Sequence, residues 1–351
     1  SSIDLTSTGA GDAGMLSIET DFLELTGESK ISSKATKTGD GGAVFIDAEK
    51  VLLNDGSEIE TLTEYIMPPE QGQEGILAGR GGALFLNAKE LTISDGSGME
   101  LGTSGTGNSG AAMISSDKVT LTGWSYINGD VKPSEVDDFE DYNDEWRLVT
   151  GNGSDIVFES MEMTVNGESK IDITSAGTGN AGSLSITTES LKIADFSSIS
   201  STASKTGNAG SIEITANNIL LNNYSEIETF TRFIPDKGKQ IGNTAGTGGD
   251  LVLDVKTLTI TGNSGMELGT WGQGDSGSAT IRSDEVILEG SYINGDVYGG
   301  GAVDENFQEN WQSVTGVGPF ISFETKNMSL SGASSIDLTS TGAGDAGMLS
   351  I

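Results

Sequence analysis

The chain has no cysteine and no histidine, only 5 prolines, and 18 Lys+Arg against 52 Asp+Glu, which leaves a formal charge of −34 over 351 residues. Each shortage closes a class of function. Without His or Cys there is no Ser-His-Asp triad, no thiolate nucleophile, no Cys/His zinc site, no His-ligated haem and no disulfide. With so few basic residues, neither nucleic acid nor an anionic membrane is an expected partner, because both demand a concentrated Lys/Arg footprint. No apolar run approaches the roughly 20 residues that a membrane-spanning helix needs. Heptads and a strict Gly-X-Y period are missing, and 51 glycines without a sustained i, i+3, i+4 pattern argue against helices.

What is present is repetition. Residues Ser1 to Ile18 read SSIDLTSTGAGDAGMLSI, and Ser334 to Ile351 read the same letters, a period of 333. Residues 1–333 are therefore read as one tandem unit and 334–351 as the start of the next. A weaker half-repeat divides the unit into 1–168 and 169–333: SEIET at Ser57 returns at Ser225, SGMELGT at Ser97 returns at Ser264, and SYINGDV at Ser125 returns at Ser291. Beneath it lies a basic module of 28 residues, marked by Gly14, Gly42, Gly82, Gly110, Ser154, Gly182, Gly210, Gly249, Gly277, Pro319 and Gly347.

Each module carries apolar residues at alternate positions, the signature of strands with one buried face. Leu16/Ile18, Val44/Ile46, Leu84/Leu86 and their successors form a first pair of slots; Leu23/Leu25, Val51/Leu53 and Leu91/Ile93 begin a second. A third strand is signalled by single residues such as Ile31, Ile59, Met99 and Ile127. Two residues before each stands a serine (Ser29, Ser57, Ser97, Ser125 and onward), expected to point inward and to form a buried hydrogen-bonded stack. The predicted fold is all-β: a right-handed parallel β-helix, or β-solenoid, of about ten 28-residue turns with three short strands each and four loop inserts at one corner. At roughly 4.8 Å per strand, a unit makes a rod about 48 Å long.

Motifs that suggest chemistry dissolve into this periodicity. GxGxxG at Gly9 to Gly14 recurs at Gly105, Gly177 and Gly272, whereas a dinucleotide fold uses its fingerprint once, between a strand and a helix. These glycines are read as corners that need positive φ. GDSG at Gly274 to Gly277 lacks the general base of a serine protease and is another corner.

The four inserts add 12, 16, 11 and 14 residues to the basic module and carry many of the aromatics, including Phe139, Phe230 and Tyr298. Their candidate contact residues are Tyr65, Tyr142, Trp146, Phe233, Phe307 and Trp311. Aromatics on loops favour interfaces; loops folded back over their own rod are the equal alternative. The acidic stretch Glu135 to Glu145 offers oxygen ligands for Ca²⁺, but without EF-hand or nonapeptide-roll spacing a solvated loop is the expectation and no cofactor is assigned.

The module GDAGMLSIETDFLELTGESKISSKATKTGDGG, and most closely GTGNAGSLSITTESLKIADFSSISSTASKTGNAG from Gly177, resembles the repeats of filamentous haemagglutinin-like bacterial proteins exported by two-partner secretion. The resemblance spans nearly all of the chain outside the inserts. It implies a long right-handed β-helix acting as an adhesin or fibre, secreted or at the cell surface.

The sequence admits three functions. The first is a structural or adhesive extracellular filament whose partners are further copies end to end and a lateral filament, glycan or cell surface. The second is a carbohydrate-active β-helix enzyme, which needs a one-off acidic cluster in a groove; uniform decoration speaks against it, and no enzyme is expected. The third is an ice- or mineral-binding solenoid, disfavoured because one outward slot runs Ser17, Phe45, Phe85, Met113, Val157.

Overall fold

The structure, a computed structural model, describes residues 1–36, 38–63, 79–131, 149–232, 246–298 and 314–351. Among these the chain is all-β without a helix; its strands form two parallel sheets of 11 strands each, with strand order following chain order in both, and Thr231–Arg232 pairs with Thr270–Trp271 in a small two-stranded sheet. This arrangement is consistent with a β-solenoid. One sheet is built of long strands, beginning Leu16–Leu25, Val44–Leu53, Leu84–Ser94 and Ala111–Thr122; the other of three-residue strands, beginning Ser2–Asp4, Lys30–Ser32, Glu58–Glu60 and Gly98–Glu100. Like pairs with like: Leu16 with Val44, Val44 with Leu84, Leu84 with Ala112, and Ala112 with Ile156.

The expected three short strands per module are corrected. The first two are one continuous strand of 10–12 residues in the inner repeats. They looked separate because the alternation slips in the middle: in Leu84–Ser94 the buried positions are 84, 86, 88, then 91 and 93. Pairing skips Lys89 there, and Glu49 and Asp117 in the neighbouring strands. The chain bends without leaving the ladder, so a second face is buried by the same strand. The third side is a single column of isolated bridges running Ser7, Ala35, Thr63, Thr103, Val131, Ser175, Ala203, Thr231, joined at its upper end by Thr270, Val297 and Ser340.

One continuous cluster of aliphatic side chains fills the interior, including Val44, Leu84, Ile156, Ile212, Leu251 and Leu253, all inaccessible to solvent. No single repeat buries its own apolar face; its neighbours on either side do so. The serine stack is present. The Ser57 amide donates to Ser97 Oγ at 3.0 Å and the Ser225 amide to Ser264 Oγ at 3.0 Å, while Ser57 Oγ donates to the Asn54 carbonyl at 2.8 Å. The hydroxyls of Ser57 and Ser225 thus each accept the amide of the serine one repeat earlier and donate to a carbonyl of their own repeat.

The glycine-rich corners have a different cause from the one expected. Their φ values are not positive; the left-handed residues lie at the other corner, between long and short strands, at Gly27, Asp55, Gly96 and Trp124 among others. At the GxGxxG corners the backbones of successive repeats approach so closely that a Cβ on Gly110 or Gly182 would overlap the carbonyl oxygen of Gly82 or Ser154. Close approach, not torsion, selects glycine here. The Asn/Asp of the same corners form a ladder of their own: the amides of Asn152, Asn180 and Asn208 donate to Oδ1 of Asn108, Asn152 and Asn180, each at 3.0 Å.

Candidate functional site

The residues expected to make contacts, Tyr65, Tyr142, Trp146, Phe233, Phe307 and Trp311, lie outside the described residues, as does the acidic stretch Glu135 to Glu145 with its calcium reading. The roots of the inserts are described. Thr63, Val131, Arg232 and Tyr298 are the last described residues before them, each on or next to the single-bridge column, so all four inserts leave from one corner.

The outer face of the short-strand sheet assembles something the sequence reading used only as a ruler. SEIET, SGMELGT and SYINGDV occupy three consecutive repeats, and their outward residues meet. In the first half, Tyr126 lies flat over Gly98, where any side chain would collide with its ring, and its hydroxyl donates to Glu58 Oε1 at 2.7 Å. Asn128 Nδ2 donates to Glu100 Oε1 at 2.9 Å. In the second half, Tyr292 covers Gly265 and donates to Glu226, and Asn294 Nδ2 donates to Glu267 Oε2 at 3.2 Å. Gly102 and Gly269 are glycine because a Cβ would strike the carbonyls of Asp130 and Asp296. The half-repeat therefore encodes one polar cluster, built twice. Alternation was the signal available in sequence: Glu58 and Glu60 flank inward Ile59, and Tyr126 and Asn128 flank inward Ile127.

The two clusters differ in charge balance. In the first, Lys30 Nζ pairs with Glu58 and lies 3.2 Å from Glu60 Oε1, Lys34 Nζ lies 3.0 Å from Glu60 Oε2, and Ser32 Oγ donates to the same carboxylate at 3.0 Å. Burial pushes the Glu60 carboxyl up, but the hydrogen bond and charge of Lys34, with help from Glu58 and Lys30, outweigh it and hold Glu60 below its ordinary value. In the second cluster Ser198 and Thr202 stand where the half-repeat offset places Lys30 and Lys34. Burial first, then the hydrogen bond and charge of Glu226, push Glu228 up to about 8. Burial, only partly offset by Asn294, with the charges of Glu226 and Asp296, pushes Glu267 up to about 7. Burial and the hydrogen bonds to Glu58 and Glu226 raise both tyrosine hydroxyls, Tyr126 and Tyr292.

The same repeats carry two groups of aromatics. Trp271, which the sequence reading overlooked, sits between Phe230 and Tyr298, with ring centroids 5.8 and 5.4 Å away. The trio exists only in the second half, for the matching positions are Leu62, Ser104 and Lys132. At the left-handed corner, Trp124, Phe196 and Tyr224 have φ of 61°, 62° and 62°. Bulky residues seldom adopt that conformation. All three are exposed, and Phe196 and Tyr224 stack at 5.1 Å.

No group of carboxylates among the described residues is arranged to hold a metal ion, and no helix among them is long and apolar enough to cross a membrane. Comparison with protein-family models, with curated proteins and with solved structures finds no match to the chain.

Proposed function

We propose that the chain is a segment of a structural and adhesive extracellular filament, secreted or displayed at a cell surface, as the resemblance of its repeats to filamentous haemagglutinin-like proteins implies. In this reading each 333-residue unit is about ten turns of a right-handed parallel β-helix, and successive units continue one rod.

The observation that carries the reading is the behaviour of the segment that occurs twice. As Ser2–Asp4 it pairs with Lys30–Ser32 of the following repeat; as Ser335–Asp337 it pairs with Tyr292–Asn294 of the preceding one. Likewise Leu16 pairs with Val44, and its duplicate Leu349 pairs with Ile321. One sequence thus uses both of its edges, each in a different copy. Laying one copy on the other yields an unbroken column from Ile321 through leucine to Val44. Unpaired strand edges favour strand addition.

The test is sedimentation of the isolated segment over a concentration series, with hydrogen exchange of the terminal strands. End-to-end association with edge amides gaining protection is expected. A strict monomer whose edge amides are already fully protected would refute it.

A second reading, a carbohydrate-active enzyme, draws on the raised carboxyls of Glu228 and Glu267, carried by the same two repeats as Phe230 and Trp271. Turnover of neutral or acidic polysaccharide, lost in E228Q or E267Q, would establish it.

A further inference from the structure

We infer that the second polar cluster, Glu226, Glu228 and Glu267 with the neighbouring Phe230, Trp271 and Tyr298, is a binding site for an organic cation: the ammonium of a lysine-bearing segment of a basic partner. It concerns one face of one unit and stands whether or not units continue into a rod.

The first half of the chain shows what this cluster does with an ammonium. There the equivalents of Glu226 and Glu228, namely Glu58 and Glu60, bind the amines of Lys30 and Lys34. In the second half the same carboxylates, on the same short strands and under the same Gly–tyrosine pair, meet Ser198 and Thr202 instead. Among the described residues none of Glu226, Glu228 and Glu267 belongs to an ion pair, and Lys170, on the strand beyond Ser198, forms none with them. The ionisable groups that face the cluster are Asp172, Tyr292 and Asp296. A cation from outside would occupy the place that the chain fills for itself in the first half.

A second observation points to the same ligand class. Phe230 lies two residues beyond Glu228, and Trp271 four beyond Glu267, each carried by the repeat that supplies the carboxylate. Tyr298 completes a row across three successive repeats. Aromatic faces attract ammonium groups through the ring quadrupole. These rings appear only in the half that lacks the lysines. The protonation of the site agrees: Lys34 holds Glu60 down, and nothing equivalent does so for Glu228 or Glu267. Binding a cation at neutral pH should therefore expel protons.

The experiment is isothermal titration calorimetry of the whole chain with Nα-acetyl-lysine methylamide and with an acetylated trilysine peptide, in two buffers of different ionisation enthalpy. Because a charge of −34 attracts any polycation, the variant E19Q/D47N, altered at exposed carboxylates on the long-strand sheet, sets the background. The wild type and E19Q/D47N are expected to bind both probes with proton release at pH 7.5. The variant S198K/T202K, which restores the built-in amines, should bind at least tenfold more weakly. E228Q/E267Q, which replaces the two titratable carboxyls by neutral amides of the same shape, should also lose at least tenfold and release no protons. Binding unchanged in both variants, no binding to the wild type at millimolar probe, or preferential binding of a neutral chito-oligosaccharide would each overturn the proposal.

Discussion

Glu267 makes the second half of the chain sensitive to alkali, in a direction that can be worked out in advance. Its ordinary value is 4.5, and in the fold burial together with Glu226 and Asp296 pushes it to about 7. The folded state therefore holds a proton that the unfolded chain has already lost. The stability this contributes is complete below about pH 4.5 and disappears as pH rises through 7. At about 1.4 kcal/mol per unit of displacement, ionisation costs the fold on the order of 3 kcal/mol by pH 8. Replacing the carboxyl by an amide, E267Q, keeps an acceptor for Asn294 Nδ2, 3.2 Å away, and removes the charge. The assay is urea unfolding followed by circular dichroism at pH 5 and pH 8, wild type against variant. General repulsion among 52 acidic residues acts on both proteins and cancels in the difference. The variant should match the wild type at pH 5 and exceed it by about 2–3 kcal/mol at pH 8. Equal stability at both pH values, or a variant weaker at pH 8, would show that Glu267 is not desolvated as described.

The first half should respond in the opposite sense. Glu60 is held low by Lys34, so its contribution is present above its ordinary value and lost as pH falls through its depressed one; K34M should destabilise at pH 7 by about 1–3 kcal/mol and by less at pH 3, measured by the same unfolding assay. Gly182→Ala places a Cβ against the Ser154 carbonyl and should cost more than about 2 kcal/mol, read from the shift in urea midpoint at constant m-value. Trp124→Gly relieves a left-handed tryptophan that is 67% exposed and should raise stability by about 1 kcal/mol, seen as a higher melting temperature. Ser225→Ala removes the acceptor for the Ser197 amide and the donor to the Asn222 carbonyl, and should cost about 1–3 kcal/mol with faster exchange of the Ser197 amide.

The stacking of repeats was legible because alternation of apolar residues and a fixed 28-residue spacing are both local in sequence. The pairing Leu16–Val44–Leu84 could be read directly. The bend at Glu49 and Lys89 was legible only as a break, since a phase slip in alternation looks the same whether the strand ends or turns. Gly110 and Gly182 were recognised as corners for the wrong reason: sequence marks where glycine sits but does not distinguish a left-handed torsion from a carbonyl pressed against the Cα. The polar clusters were visible letter by letter in SEIET, SGMELGT and SYINGDV. They went unrecognised because their members are separated by tens of residues and join only when outward positions of three successive repeats are laid side by side. Trp271 was hidden for the same reason, falling between two inserts rather than within one.

The central proposal is that repeats stack without interruption from one unit into the next across the segment shared by residues 1–18 and 334–351. Its most direct measurement is the length of a two-unit protein by electron microscopy, compared with a one-unit protein. Straight rods whose length grows by roughly 48 Å for the added unit, with no joint, are expected. Two bodies joined at variable angles, or a particle that broadens instead of lengthening, would contradict it.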